Sequence, residues 1–503
     1  MAPNTAEAAS YTEVERKFEV TAATVSPSFE GLSAVARVER HPARQLDAVY
    51  FDTPARDLSA HRITLRRRTG GTDAGWHLKL PAGPDTRTEV RMPLDPTGPA
   101  TDTVPDELRD VVLAIVRERS LSPVARISTR RTVDMLYGHD GTAIAEFCDD
   151  EVTASATGHD GDAQEWREWE LELLVGDLPA DLLDRLSHRL TDTGAQPAGH
   201  GSKLAKVLDT AGEAAQEDPA PLDPVHRAIA EQVEALLVWD RAVRADTYDS
   251  VHQMRVTTRK IRSLLQESAA AFPHADHESI LEELRALAAV LGTARDAEVL
   301  AQRYQQALDE LPEGLIRGPV RERLVDGANR SYAAGLRRSL VAMRSQRYFR
   351  LLDALEDLVA DQGEQADEDR EPVTIGSAYR RVRKAVKNAR VVAEDSDTSV
   401  EAKDAALHRI RKRAKSLRYT AAATGEARVS DRAKTIQTLL DDHQDAVVSK
   451  THLSMQADAA HTAGEDTFTY GLLYQQEDDL AQHASALLDN ALKKLDQAVR
   501  RSH

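Results

Sequence analysis

Proline restricts this chain more than any other residue. It locks φ and removes a backbone donor, so long helices form only where it is scarce. Sixteen of the 20 prolines fall within residues 1–224, and only Pro273, Pro312, Pro319 and Pro372 follow. Trp76, Trp166 and Trp169 also lie in the first part. At the change stands AGEAAQEDPAPLDP (211–224), acidic and rich in Pro and Ala, which reads as a linker. Beyond it Ala, Leu, Arg and Glu recur at helical spacing. A chain of 503 residues exceeds one hydrophobic core. The division predicts an α+β multidomain protein: a disordered start (1–10), a strand-rich domain (11–210), the linker, and an all-helical domain (225–503).

Within the first domain several short segments alternate strictly. In EVERKFEV, Glu13, Glu15, Lys17 and Glu19 oppose Val14, Phe18 and Val20. Arg66 and Arg68 oppose Leu65, and His77 and Lys79 oppose Trp76, Leu78 and Leu80. Arg87, Glu89 and Arg91 oppose Val90 and Met92, and Glu168, Glu170 and Glu172 oppose Trp169, Leu171 and Leu173. Taken singly, each is a half-buried strand with a solvated charged face. As a set they are unusual, because some faces are purely acidic and others almost purely basic. A barrel with its charged faces turned inward accounts for that segregation.

Such an interior suits a polyanion with a divalent metal. Arginine matches phosphate oxygens with a planar fork of donors. Glu-x-Glu puts two carboxylates on one strand face, roughly 7 Å apart at Cα, which suits hard Mg²⁺ or Mn²⁺. Composition narrows the alternatives. Against 83 acidic residues stand 65 basic ones, a formal charge of −18, which excludes a globally basic nucleic-acid coat but leaves room for a local basic site. The single cysteine, Cys148, excludes an intrachain disulfide and any multi-cysteine metal site. No basic segment followed by an apolar run opens the chain, and no stretch reaches about 18 consecutive apolar residues, so a cytoplasmic protein without a membrane span is expected.

EVERKF, with its Glu-x-Glu-x-Lys at Glu13, Glu15 and Lys17, resembles the CYTH superfamily of triphosphate tunnel metalloenzymes. YFDTP (50–54), LRRR (65–68), WHLKLP (76–81), RTEV (87–90), REWELEL (167–173) and GSKL (201–204) follow in that family's order. The resemblance covers roughly 11–210. It implies an eight-stranded antiparallel tunnel that hydrolyses a triphosphate-containing substrate with Mg²⁺ or Mn²⁺. By the same resemblance Glu13 and Glu15 would be metal ligands, with Glu168, Glu170 and Glu172 from the far strand. Lys17, Arg66, Arg68, Lys79, Arg87, Arg130 and Lys203 would hold phosphates, and Lys17 would help position the attacking water. Glu146 and Asp149 are both candidates to complete the acidic side; which points inward stays open, as does the choice between Arg130 and Arg131.

The helical part carries an internal repeat at a separation of 156 residues: VHQMRVTTRKIRSLL (251–265) and LHRIRKRAKSLRYTA (407–421). His252, Arg255, Arg259 and Arg262 step by 3, 4 and 3 along one helix face, and His408, Arg411, Lys415 and Arg418 repeat the steps. Lys260 and Lys412 lie beside them. A second stripe is apolar: Val251, Met254, Thr258, Ile261 and Leu265, matched by Leu407, Ile410, Ala414, Leu417 and Ala421. Neither window contains an acid. LGTARDAEV (291–299) and LDDHQDAVV (440–448) extend the match, and YRRVRKAVKNAR (379–390), with Arg380, Arg383 and Lys384, forms a third acid-free cluster. Concentrated bases in an acidic chain imply a polyanion that relieves their repulsion. Aromatic interleaving is nearly absent apart from Tyr419, so a charged polymer without bases fits better than nucleic acid. These motifs resemble the CHAD domain over about 222–503, which implies two pseudosymmetric helical bundles (about 225–365 and 375–503) whose basic faces meet to bind inorganic polyphosphate. Leu440-Asp441 departs from the family's usual Leu-Gly.

Both parts point to phosphoanhydrides. The expected activity is an inorganic triphosphatase or polyphosphatase joined to a polyphosphate-binding domain, with association to polyphosphate granules and with no membrane or specific nucleic-acid partner. The rivals are a tunnel enzyme for thiamine triphosphate, a nucleoside triphosphate or ATP cyclisation, and a non-catalytic polyphosphate binder. Oligomeric state is left open.

Overall fold

A computed structural model describes residues 9–94, 102–158, 163–174, 181–210, 224–267, 272, 276–360, 374–395 and 398–501. Residues 1–8 of the expected disordered start, the linker through 223 and residues 361–373, on which most of the expected boundary between the helical repeats (about 365–375) falls, lie outside the described residues.

Among the described residues ten strands form one sheet: β1 (Ala9–Val20), β2 (Arg37–Arg40), β3 (Arg44–Asp52), β4 (Thr64–Thr69), β5 (Gly75–Pro81), β6 (Thr86–Pro93), β7 (Ser122–Tyr137), β8 (Ala143–Ala156), β9 (Gln164–Leu173) and β10 (Gln196–Pro197). Their order is β1-β6-β5-β4-β3-β7-β8-β9, and β9 returns to β1, closing an eight-stranded antiparallel barrel. β10 adds to β1, and β2 adds to β7. The long β1 makes closure possible. It pairs with β6 through Ala9–Val14 and with β9 through Val14–Val20. It begins two residues inside the stretch read as disordered, because Ala9 and Ser10 already pair with Arg91 and Val90.

The apolar faces of these strands point out of the barrel, where helices cover them. The helices of this part are α1 (Asp57–Ala60), α2 (Asp106–Val111), α3 (Leu113–Val116), α4 (Leu182–Thr191), α5 (Lys203–Thr210) and α6 (Pro224–Arg244). Phe18, Phe147, Trp169 and Leu171 pack against Leu182, Leu183, Leu186 and Leu190 of α4, with Phe147 edge-on to Trp169. On another flank Ile127, Val152 and Ala154 meet Leu204, Val207 and Leu208 of α5. Burying these side chains outside leaves Glu, Lys and Arg to fill the barrel.

The remaining helices are α7 (Ser250–Glu267), α8 (His277–Glu310), α9 (Gly327–Met343), α10 (Gln346–Ala360), α11 (Ile375–Glu394), α12 (Val400–Ala423), α13 (Ala427–Thr462) and α14 (Phe468–Arg501). By contacts the chain forms two compact units, residues up to Ser250 with Met343–Val359, and Val251–Ala342 with Ala360–His503. The first unit thus includes α6 and most of α10. Arg244 of α6 and Arg344 both pair with Asp110 of α2, and buried Arg117 pairs with Asp353 and Glu356 of α10. The second unit is all helical. Its apolar stripes are buried as their spacing predicts: Val251, Met254, Thr258, Ile261 and Leu265 on α7, and Ile410, Ala414, Leu417 and Ala421 on α12, with Leu407 half-buried. Among the described residues no helix is long and apolar enough to cross a membrane.

Candidate functional site

The barrel encloses a cavity of about 440 Å³, lined mostly by charged side chains. Strand alternation puts Glu13, Glu15 and Lys17 of β1 there, with Glu170 and Glu172 of β9 beside them in register: Glu15 faces Glu172 and Lys17 faces Glu170. Arg66 and Arg68 of β4, Lys79 of β5, Arg87 of β6 and Arg131 of β7 line the same cavity, with Arg87 in register with Glu13 across the β1–β6 pair. Lys203, at the first residue of α5, reaches into the same space.

Most of the carboxylates are already held by cations. Lys17 Nζ lies 2.7 Å from Glu15 Oε2 and 3.0 Å from Glu170 Oε1. Burial would raise Glu15, but Lys17 and Lys79 outweigh it and hold the carboxyl at about 2. Burial would likewise lower Lys17, and Glu15 and Glu170 overcome that, so it is held above the ordinary lysine range. Lys79 Nζ lies 2.5 Å from Glu13 Oε2, and Arg91 lies 3.1 Å from Glu13 Oε1. Asp150, Glu168 and Glu170 each bring a carboxylate oxygen within 4.8 Å of the others, a cluster able to coordinate a metal ion. Lys203 Nζ sits against all three, at 2.9, 2.7 and 2.8 Å, and Arg131 pairs with Asp150 and Glu170. This trio is therefore already ion-paired with the chain's own bases.

Two places in the cavity are not balanced. Glu172 makes no ion pair or hydrogen bond among the described residues. Burial and the neighbouring Glu13, with Glu15 and Glu146 nearby, push its carboxyl up to about 7. On the other wall, burial with Arg66 and Arg131 alongside brings Arg68 down to about 9, although Arg68 also pairs with Asp73. Like charges thus crowd at Glu172 on the acidic side and at Arg68 on the basic side. Glu13, Glu15 and Glu146 beside Glu172 offer carboxylate oxygens, which fit a hard divalent ion, with Lys79 the cation that now faces them.

In the helical unit the two basic stripes come together. Arg259 of α7 is lowered by burial, then by Arg255 and Arg411, and Lys415 of α12 is brought down to about 8 by burial and by Arg259 and Arg411. Neither Arg259 nor Lys415 makes an ion pair among the described residues. Lys415 and Arg418 lie over the Tyr419 ring, 5.7 and 5.6 Å from its centre.

Two family models match this chain: the CYTH domain over residues 11–185 and the CHAD domain over residues 227–454. The uncharacterized protein Rv2226 of Mycobacterium tuberculosis is 62% identical over 508 residues, with 98% of each chain covered. The chain belongs to the CYTH–CHAD family. Among solved structures, PptA from Streptomyces chartreusis is similar at 20% identity and a TM-score of 0.44, covering 54% of this chain and 98% of that one. The CHAD domain from the plant Ricinus communis is similar at 22% identity and a TM-score of 0.39, covering 54% of this chain and 90% of that one.

The CYTH barrel brings together most of the residues that its motifs suggest: Glu13, Glu15, Lys17, Arg66, Arg68, Lys79, Arg87, Glu146, Glu170, Glu172 and Lys203 line the cavity, and Glu168 is buried beside Lys203. Two residues are placed elsewhere. Asp149 lies on the outer face of β8, paired with Arg167 at 2.6 Å. Arg130 is exposed on β7 and pairs with Glu151 at 3.1 Å, whereas its neighbour Arg131 enters the cavity. Residues 146 and 149 are an odd number of steps apart, so a regular strand cannot aim both inward. The same alternation places Asp150 inside with Glu146, a signal the AEFCDD motif carried. Glu89 and Arg91 also line the cavity and were marked by alternation on the charged face of β6. His77 Nδ1 lies 2.9 Å from Glu89 Oε1, and its Nε2 lies 2.9 Å from the Asp73 carbonyl oxygen.

In the CHAD part, His252, Arg255, Arg259 and Arg262 are half-buried on α7, as are His408, Arg411, Lys415 and Arg418 on α12, while Lys260 and Lys412 are exposed. Arg380, Arg383 and Lys384 are exposed on α11; Arg383 adjoins Tyr379, whose hydroxyl donates to Asp496 of α14 at 2.5 Å. The helix that carries that cluster packs against α12 in a core shared by Ala378, Val382, Ile410 and Ala414.

Proposed function

We propose that the CYTH barrel hydrolyses inorganic triphosphate and short polyphosphate with Mg²⁺ or Mn²⁺, and that the paired CHAD stripes bind longer polyphosphate. One observation carries the first half. The cavity crowds carboxylates at Glu172, which makes no ion pair among the described residues, and guanidinium groups at Arg68, which pairs with Asp73 beside Arg66 and Arg131; a phosphate chain with a divalent ion would relieve both at once. Glu13, Glu15 and Glu172, with Glu146 nearby, would hold the ion. When bound it would neutralise phosphate oxygens and orient a water.

The chain's own residues do the rest. Arg66, Arg68 and Arg131 present forked donors to phosphate oxygens, and Lys79 and Arg87 extend the basic wall. Arg66 also donates to the Tyr50 hydroxyl at 3.2 Å, which fixes the fork's direction. Lys17, held as an ammonium by Glu15 and Glu170, stays charged through neutral pH. It donates to an oxygen at the reacting end and cannot serve as a base. Lys203 keeps the deeper carboxylates paired, so the acidic wall survives without a ligand. Retention of long chains by the stripes supports association with polyphosphate granules.

The test is phosphate release by the purified chain from tripolyphosphate, long polyphosphate, ATP and thiamine triphosphate. Release should favour the inorganic substrates and require Mg²⁺ or Mn²⁺. Glu13→Ala should lower it by about 10²-fold or more. No release from the wild type, with polyphosphate binding retained, would leave a non-catalytic binder. Full activity in Glu13→Ala would remove Glu13 from the metal site.

A further inference from the structure

The second copy of the basic repeat carries an acid that the first copy lacks. Leu291-Gly292 opens LGTARDAEV on α8, and Leu440-Asp441 opens LDDHQDAVV on α13. Leu291 and Leu440 are both buried, and so are Ala297 and Ala446, so the two copies sit in equivalent register on their helices. In the first copy glycine leaves the surface of α8 bare. A Cβ on Gly292 would stand 3.5 Å from Arg255 Nη2, which shows the guanidinium lying close against the helix there. Arg255 reaches on to Asp296 at 3.3 Å, a side chain that is 73% exposed.

In the second copy a carboxylate fills the matching place. Asp441 pairs with Arg411, the counterpart of Arg255, and its other oxygen accepts from Gln437 at 3.3 Å. Gln437 in turn accepts from Arg418 at 3.2 Å. Asp441 is only 30% exposed, and its charge acts on Arg259, His408 and Lys415 as well. One fixed anion therefore stands among cations drawn from both stripes.

We propose that Asp441 is a built-in competitor of the polyanion: it occupies Arg411 in the place of a phosphate oxygen and so weakens binding of long polyphosphate to the stripe. The inference rests on the polyphosphate reading of the stripe given above. In the unliganded protein the carboxylate relieves repulsion among Arg259, Arg411 and Lys415. A polyphosphate chain arriving there must replace the Asp441–Arg411 pair and accept a like charge beside it. In the first copy, with glycine at this position, Arg255 pairs at 3.3 Å with Asp296, which is 73% exposed, so the cost is smaller. The affinity of the paired stripe is then lowered at a position where its two halves differ in charge.

The test is equilibrium binding of long-chain polyphosphate to the full-length chain in excess chelator, which stops hydrolysis. The wild type is compared with Asp441→Asn, Asp441→Gly and, as a control on the stripe itself, Arg259→Ala. Asp441→Asn keeps the side-chain volume, and its unfolding midpoint reports that the fold is intact. The expected result is binding about five-fold tighter in Asp441→Asn, with Asp441→Gly at least equal to the wild type and both more sensitive to added salt. Equal or weaker binding by Asp441→Asn, while Arg259→Ala loses affinity, would overturn the inference alone; Asp441 would then serve only to orient Arg411. Unchanged binding by Arg259→Ala would bring down the polyphosphate reading of the stripe, and this inference with it.

Discussion

The Lys203 ammonium lies 2.8 Å from Glu170 Oε1, tying the first residue of α5 to the acidic face of β9. Asp150 and Glu168 share the same ammonium, so one lysine holds three carboxylates from two adjacent strands. Removing one partner of a buried ion cluster leaves charge unpaired where water is scarce. Lys203→Met should therefore destabilise the protein by about 3 kcal/mol, read from urea unfolding. A change within a few tenths of a kcal/mol would mean that the trio protonates or rearranges without it.

Arg130 and Arg131 are adjacent in sequence and opposite in consequence. Arg130 is exposed with Glu151, so Arg130→Ala should change stability by no more than about 0.5 kcal/mol and leave tripolyphosphate hydrolysis intact. Arg131 is paired with buried Asp150 and with Glu170 inside the cavity. Arg131→Ala should cost about 3 kcal/mol and depress hydrolysis as well. Equal behaviour of the two variants would contradict the strand register.

Glu172 supplies a readout of metal binding that does not need turnover. Its carboxyl stands beside Glu13, with Glu15 and Glu146 nearby, and lacks a partner among the described residues. Mg²⁺ or Mn²⁺ at about 100 times its dissociation constant should add about 2.7 kcal/mol of stability, reversed by chelator. In Glu172→Gln the gain should shrink or require more metal. A full gain in that variant would move the site to other carboxylates.

Lys415 predicts a pH dependence in the CHAD part. Burial, Arg259 and Arg411 bring its folded value to about 8, below the ordinary 10.5. Below pH 8 it is charged in both folded and unfolded states, and the folded protein bears the full penalty. Between pH 8 and 10.5 the unfolded chain still binds the proton and the folded one does not, so this lysine's contribution to stability rises with pH. A bound polyphosphate favours the ammonium, so affinity should fall as pH rises through 8, and binding there should take up protons. Calorimetry in two buffers of different ionisation enthalpy would show the uptake, and Lys415→Met should abolish its share.

Much of the architecture was legible in residue order because it depends on short-range rules. Proline scarcity after residue 224 marked where long helices could run, and alternation in EVERKFEV and WREWELEL marked which side chains share a face. The repeat at 251–265 and 407–421 marked two equivalent helices whose apolar stripes are buried as spaced. Alternation also carried more than was drawn from it: Asp150 rather than Asp149, and Glu89 with Arg91, follow from the same two-residue period.

The amino-acid order by itself determined which faces are charged, which are apolar and that the helical part is doubled, since each follows from the period of a strand or a helix. Only the tertiary structure decided how those charges are matched. It set Lys203 among three carboxylates, left Glu172 without an ion pair among the described residues and Arg68 crowded by arginines, and placed Asp441 against Arg411. These pairings join residues distant in sequence, and barrel closure and helix packing fix them through distances of a few ångströms. At that range Coulomb energy changes steeply, and no local periodicity encodes it.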